Sequence, residues 1–184
     1  MLIEIKELSD RDAISLMAVY KESNKKNISY FFPEIQDEKQ GLNMIEEEYT
    51  KWLRDDFLKS KNTFCYVWIE NDLWVSSLRL HCIYSKIYFI EALETHPEYR
   101  KKGYAEKLIN GIIDRLKENG DFEIHSYTSI TNIASKKTHK RCGFLILDEK
   151  PFDYINREYV ENSVGFLYKY SINKQEILLN KMNK

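Results

Sequence analysis

Apolar residues recur along this chain with two different periods, and the switches between them divide it into elements. Residues 2–8 mix apolar and charged positions at short intervals and read as a strand. Ser9-Asp10-Arg11-Asp12 has the form of a helix start, with Ser9 placed to accept from the amide of Asp12, and Ile14, Met17, Ala18 and Lys21 follow at helical spacing. Residues 24–33 are polar and then aromatic, and they read as a loop or a short helical turn. A second helix is predicted over 37–59, with Leu42, Ile45, Tyr49, Trp52, Leu53 and Phe57 on one face. Residues 63–70 and 73–84 read as strands joined at Asn71-Asp72, and Ser85-Lys86 turns the chain into a third strand over 87–95.

A short basic loop bracketed by Pro97 and Gly103 comes next. It leads into the clearest helix of the chain, with Ala105, Leu108, Ile109, Ile112, Ile113 and Leu116 facing inward and Gly120 ending it. Residues 122–129 read as a strand, 132–142 as a short helix stopped by Gly143, and 144–148 as another strand. A loop over 149–162 precedes a last strand over 164–172 and a polar tail. The order β-α-α-β-β-β-α-β-α-β-β places a strand-loop-helix-strand unit between antiparallel hairpins. That implies a mixed sheet covered by helices on both faces, an α/β (α+β) fold.

The length of 184 residues suits one domain, expected over 1–172 with 173–184 as its tail. Hydrophobic residues make up 43% and charged residues 31%, which excludes a disordered chain. Lysine and arginine number 28 against 29 acids, a net charge of -1, which argues against a dedicated nucleic-acid binder. Cys65, Cys82 and Cys142 are widely spaced and form no Cys-x-x-Cys pair, so neither a disulfide framework nor a zinc site is expected. Cys142 reads as packed rather than nucleophilic, and His81, His96 and His125, without metal-ligand spacing, read as structural or surface residues. No run approaches the roughly 18 apolar residues that span a bilayer, and Met1 to Lys6 lacks the long apolar stretch of a signal peptide. A soluble, cytoplasmic chain with no membrane partner is expected. Neither a Gly-x-x-x-x-Gly-Lys-(Ser/Thr) loop nor a Gly-x-Gly-x-x-Gly turn is present.

The most informative segment is Leu93-Glu94-Thr95-His96-Pro97-Glu98-Tyr99-Arg100-Lys101-Lys102-Gly103-Tyr104-Ala105. A strand ends, a basic loop with one glycine follows, and an amphipathic helix begins at once. Unpaired amides and the partial positive charge of a helix N-terminus suit such a loop to a phosphate group. Alone, Gly103 could equally do no more than allow the turn.

Arg100-Lys101-Lys102-Gly103-Tyr104-Ala105 resembles the acyl-CoA signature of the GNAT superfamily, (Gln/Arg)-x-x-Gly-x-(Gly/Ala), and Leu93-x-Thr95-x-Pro97-Glu98-Tyr99 resembles its lead-in. Asn132-x-x-Ser135-x-x-x-His139-x-x-x-Gly143-Phe144 resembles the family's second block, Asn-x-x-Ala-x-x-x-Tyr-x-x-x-Gly-Phe, in the right order. The resemblance implies the acyl-CoA N-acyltransferase fold, with a mostly antiparallel central sheet of about seven strands. It also implies an N-acetyltransferase that takes acetyl-CoA as donor and a small-molecule or peptide amine as acceptor, acting as a monomer or homodimer. By the same resemblance, the amides of Lys101, Lys102, Gly103, Tyr104, Ala105 and Glu106 would hold the CoA pyrophosphate, with positive charge from Arg100. The strand at Leu93, Glu94 and Thr95 would bond the pantetheine arm as an added strand does, with Asn132 and Ser135 at the same ligand. Asn132 also fits a plain helix N-cap, and Lys136, Lys137, Lys140 and Arg141 fit a solvated helix face as well as a contact to the 3′-phosphate.

The amine must lose a proton before it attacks the thioester. Glu91 and Glu94 lie on the implicated strand with opposite side-chain directions; Glu91 is the first choice of base and Glu94 the second, and either also reads as a surface strand residue. At position 139 the family pattern has tyrosine as acid to the leaving thiolate. His139 reads either as the acid in its place or as a neutral bystander. The latter leaves a non-catalytic acyl-CoA-binding or regulatory domain as the rival function. In the implied fold the acceptor would enter beside Tyr30, Phe31, Phe32 and Glu34 and beside Asp153, Tyr154, Glu158, Tyr159 and Glu161, an aromatic and acidic set suited to a cationic amine.

Overall fold

The computed structural model describes residues 1–172. The element order is β1 (Leu2–Ile5), α1 (Asp10–Phe31), α2 (Glu38–Asp55), β2 (Thr63–Glu70), β3 (Leu73–Tyr84), β4 (Ile87–Thr95), α3 (Tyr104–Lys117), β5 (Phe122–Ser129), α4 (Ile133–Arg141), β6 (Leu145–Ile146), β7 (Phe152–Asp153), β8 (Glu158–Tyr159) and β9 (Ser163–Tyr170). Seven strands form a mixed, mostly antiparallel sheet in the order β1-β2-β3-β4-β5-β9-β6, flanked by four helices, and β7 and β8 make a separate hairpin. The tail expected over 173–184 lies outside the described residues.

The backbone groups into two compact units, one of residues 1–80 and 92–108, the other of 81–91 and the chain from 109 onward. In the first, α1 starts as its sequence predicts, with the Ser9 side chain accepting from the Asp12 amide at 3.2 Å. It then runs on to Phe31, through the segment expected to be a loop. The reason lies in its buried face, which continues Leu16, Tyr20, Asn24 and Ile28 at steps of four. Of the residues noted at helical spacing Met17 is buried and Ile14 is 73% exposed, while Ala13 and Leu16 join Met17 in the core. Gly41 of α2 is what accommodates Ile28: a Cβ there would lie 2.5 Å from Ile28 Cγ2. Asp37 caps α2 by accepting from the Gln40 amide at 2.7 Å, and α2 ends at Asp55, four residues early, before a turn of 3₁₀ helix over Phe57–Lys59. Ile5, Leu8, Leu16, Leu53, Phe57 and Val67 make the core of this unit. β3 loses the expected alternation because Val75, Ser76, Ser77 and Leu78 are all buried, as in a central strand.

In the second unit, β5 pairs antiparallel with β9 along its whole length, from Phe122↔Tyr170 to Ser129↔Ser163. Its parallel ladder with β4 covers only Ile87–Phe89 against Glu123–His125. The strand expected over 144–148 is reduced to two exposed residues, Leu145 and Ile146. The expected loop over 149–162 contains the β7–β8 hairpin, organised by Asp153. That buried carboxylate accepts from the Tyr127 hydroxyl at 2.8 Å, the Ile155 amide at 2.8 Å, and the Asn156 amide and side chain at 3.0 Å each. Four donors offset the cost of burying the charge.

Candidate active site

The last residues of β4 and the start of α3 belong to the first unit. Ala92, inside β4, has φ +50°, a left-handed conformation that costs an L-residue roughly 1–2 kcal/mol. The Tyr20 hydroxyl meets its carbonyl at 2.9 Å. Further along, Ser76 donates to the Glu94 carbonyl at 2.6 Å, and the His96 amide donates to Val75 at 2.9 Å. A 3₁₀ turn over Pro97–Tyr99 follows, capped by His96.

The loop then takes two left-handed residues, Lys101 (φ +61°) and Gly103 (φ +80°), on either side of Lys102. α3 begins immediately, its first backbone bond running from the Lys107 amide to the Gly103 carbonyl at 3.0 Å. Glycine therefore holds the N-cap position and brings no side chain of its own to the first-turn amides of α3. A Cβ added at Gly103 would meet nothing within 4 Å, so the space over these donors is open. An anion can approach them closely, and the dipole of α3 favours it. Lys102 lies over the Tyr99 ring at 4.6 Å, and Lys107 over Tyr104 at 4.9 Å.

Arg100 points elsewhere. Its Nε donates to the Thr95 carbonyl at 3.2 Å, and Nη1 meets Glu22 of α1 at 2.5 Å; Nη2 stands 4.0 Å from Glu94. The side chain thus closes the loop back on the end of β4. Burial pushes the Glu94 carboxyl upward, and Arg100 opposes that shift.

Glu91 belongs to the second unit. Its Oε2 lies 2.8 Å from Nε2 of His81 on β3, a residue expected from the sequence to be structural or at the surface. Tyr127 on β5 is bound to Asp153, and its hydroxyl is pushed upward by burial first, then by Asp153, Glu91 and Glu158. Glu91 is therefore one of three acids whose charge reaches a single phenol.

His139 is 1% exposed. Nδ1 contacts the Ser135 carbonyl at 2.9 Å, which accepts only, so the proton sits on Nδ1; Nε2, 3.1 Å from Ser126 Oγ, then accepts from that hydroxyl. The ring stacks on Phe166 at 4.4 Å and meets Phe144 edge-on at 5.1 Å. Burial lowers its pKa, so the imidazole is neutral at pH 7. Asn132 forms the predicted cap, its Oδ1 accepting from the Ser135 amide at 3.0 Å.

Three residues that the sequence reading had not singled out for chemistry, His81, Ser126 and Tyr127, are thus in contact with the candidates. The signal for His81 was present: it and Glu91 stand nearly equidistant from the Ser85-Lys86 turn. Asp153, read as an acceptor-facing acid, is instead buried and saturated with donors. Among the described residues no helix is long and apolar enough to cross a membrane, and no group of three or more His, Cys, Asp or Glu side chains could hold a metal ion.

The chain is similar to several known proteins. The N-alpha-acetyltransferase 30 of Schizosaccharomyces pombe is 26% identical over 128 residues, 67% of this chain and 82% of that one. The aminoglycoside N(6')-acetyltransferase type 1 of Serratia marcescens is 33% identical over 63 residues, 34% of this chain and 43% of its own. Among solved structures, the PaiA N-acetyltransferase from Thermoplasma acidophilum, in complex with coenzyme A, superposes with a TM-score of 0.64 at 18% identity, over 92% of this chain and 99% of that one. The Campylobacter jejuni N-acetyltransferase PseH, in complex with acetyl coenzyme A, gives 0.57 at 14% identity, over 93% and 99%. These last two likenesses are of fold. Residues 17–144, which take in most of α1, the glycine-capped α3 and all of α4, match the acetyltransferase (GNAT) family, and the chain belongs to that family as an acyltransferase.

Proposed function

We propose that this protein transfers the acetyl group of acetyl-CoA to a primary amine by direct attack, with both substrates bound at once. The observation that carries the reading is the glycine that leads into α3 behind Lys101 and Lys102, with open space beside it. A helix N-terminus entered through a glycine, with no atom within 4 Å of an added Cβ, fits a pyrophosphate. Two N-acetyltransferases of this fold were crystallised with coenzyme A or its acetyl form, which supports the same donor here. In this reading Leu93, Glu94 and Thr95 offer backbone to the pantetheine arm. Asn132, whose Oδ1 is used in its cap, offers its amide N–H groups, and Ser135 stands in the same turn.

An ammonium acceptor gives one proton to Glu91. The neutral nitrogen then attacks the thioester carbon, a C–N bond forms, the C–S bond breaks, and the thiolate leaves with a second proton from that nitrogen. The base has the harder task, since an alkyl ammonium holds its proton to about pH 10.4. His139, neutral and committed to Ser135 and Ser126, acts here by holding α4 rather than as acid. Exposed Tyr159 and Glu158 of β8 suit a cationic acceptor, and so, separately, do exposed Tyr30 and Phe31 at the end of α1. Calorimetry with acetyl-CoA, followed by thiol release over polyamines, amino acids, aminoglycosides and peptides, tests the proposal. Binding with turnover of at least one amine is expected, and no binding at high micromolar concentration would sink it.

A further inference from the structure

We infer that His81 is a positioning residue for Glu91: its ring N–H fixes the carboxylate that takes the proton from the attacking amine. The inference rests on the transfer reading above and adds to it a residue on a different strand. Nε2 of His81 and Oε2 of Glu91 are 2.8 Å apart, the separation of a charge-assisted hydrogen bond. Both side chains are anchored on strands, and they are only 14% and 31% exposed, so water competes weakly for the contact.

The surroundings explain why the base needs a donor of its own. Asp153 of β7 accepts from Tyr127 on β5, and Asp153, Glu91 and Glu158 all raise the Tyr127 hydroxyl. Asp153 has donors of its own in Tyr127, Asn156 and two backbone amides. For Glu91 the donor is His81, and the same atom donates whether the ring is neutral with its proton on Nε2 or fully protonated. The bond does two things: it selects one rotamer of the glutamate, and it gives the carboxylate a donor aimed at one oxygen.

The test crosses His81→Phe and His81→Gln with Glu91→Gln, using the amine that the unaltered protein turns over best. A second measurement follows the Glu91 carboxyl by carbon NMR during a pH titration. His81→Phe should lower kcat roughly 10-fold to 100-fold, the scale of a misplaced catalytic group, while KM for acetyl-CoA stays put. His81→Gln, whose amide N–H can occupy the place of Nε2, should recover most of that loss. In the Glu91→Gln background His81→Phe should change nothing further, because two residues acting as a unit are not additive. The Glu91 midpoint should rise when the donor is removed. Equal losses in both backgrounds, or a midpoint that does not move, would overturn the inference and leave the transfer reading intact. No thiol release by the unaltered protein with any amine would bring down both, whatever the titration gave.

Discussion

The hydroxyl of Tyr20 on α1 reaches the carbonyl of Ala92 at 2.9 Å, and Ala92 is the residue at which β4 turns left-handed. The same hydroxyl lies 3.2 Å from Ser77 on β3. One buried phenol therefore ties the first helix to the distorted point of the strand that leads into the candidate cofactor loop. Removing it leaves a carbonyl without its partner in a strained segment. Tyr20→Phe should cost about 1–3 kcal/mol, the penalty of a buried unpaired polar group. For a chain of this size that is a fall in Tm of roughly 2–4 °C per kcal/mol, read by thermal unfolding.

The parts of the fold legible in the sequence are those whose cause is local. The apolar stripe of α3, the turns at Asn71-Asp72 and Ser85-Lys86, and the caps at Ser9 and Asn132 all formed where residue type and spacing placed them. The extension of α1 was hidden because Asn24 and Ile28 owe their burial to partners far along the chain, Gly41 among them. The β7–β8 hairpin was hidden for the same reason, since Asp153 is organised by Tyr127, twenty-six residues away. In the candidate site the glycine loop was legible, whereas the commitment of Arg100 to Glu22 and Thr95, and of Glu91 to His81, depends on tertiary neighbours.

Gly103 separates two effects that a single substitution usually mixes. Its φ of +80° makes any L-residue strained, yet an added methyl would touch no protein atom. Gly103→Ala should therefore cost the fold only about 1 kcal/mol. If the amides behind it hold a pyrophosphate, acetyl-CoA affinity should fall by a larger factor, tenfold or more in rough terms, because the methyl enters the space the phosphate needs. Calorimetry and thermal unfolding on one preparation distinguish the two, and a drop in Tm with full affinity would remove the loop from the binding site.

Acid should loosen the second unit before its carboxylates titrate. His139 and His125 are both lowered from their ordinary value, chiefly by burial. A depressed histidine contributes stability that is whole above its unfolded value, about pH 6.5, and that is lost as the pH falls toward the folded value. The slope can reach about 1.4 kcal/mol per pH unit for each group. Glu22 and Glu123, lowered by Arg100 and by Lys169, act only at lower pH. Tm measured from pH 7.5 down to 5 should therefore decline, and His139→Gln should flatten that decline even though it lowers Tm at neutral pH. A Tm independent of pH over this window would contradict a neutral, buried His139.

Gly41 offers a test of why α1 is long. Alanine at this position in the first turn of α2 should stabilise the helix by at most about 0.5–1 kcal/mol on propensity alone. Its Cβ, however, would stand 2.5 Å from Ile28 Cγ2, a branch fixed close to the α1 backbone that cannot swing aside as a side-chain tip would. Overpacking of this kind costs typically 1–3 kcal/mol, so the sign of the outcome is set by the contact and not by the propensity. Gly41→Ala should lower Tm. Adding Ile28→Ala should recover part of the loss, since the second change removes the atom that clashes, and the pair should deviate from additivity by more than about 0.5 kcal/mol. A rise in Tm for Gly41→Ala alone would mean that α1 and α2 can separate at this point without penalty, and that the last turns of α1 are held by something other than this approach.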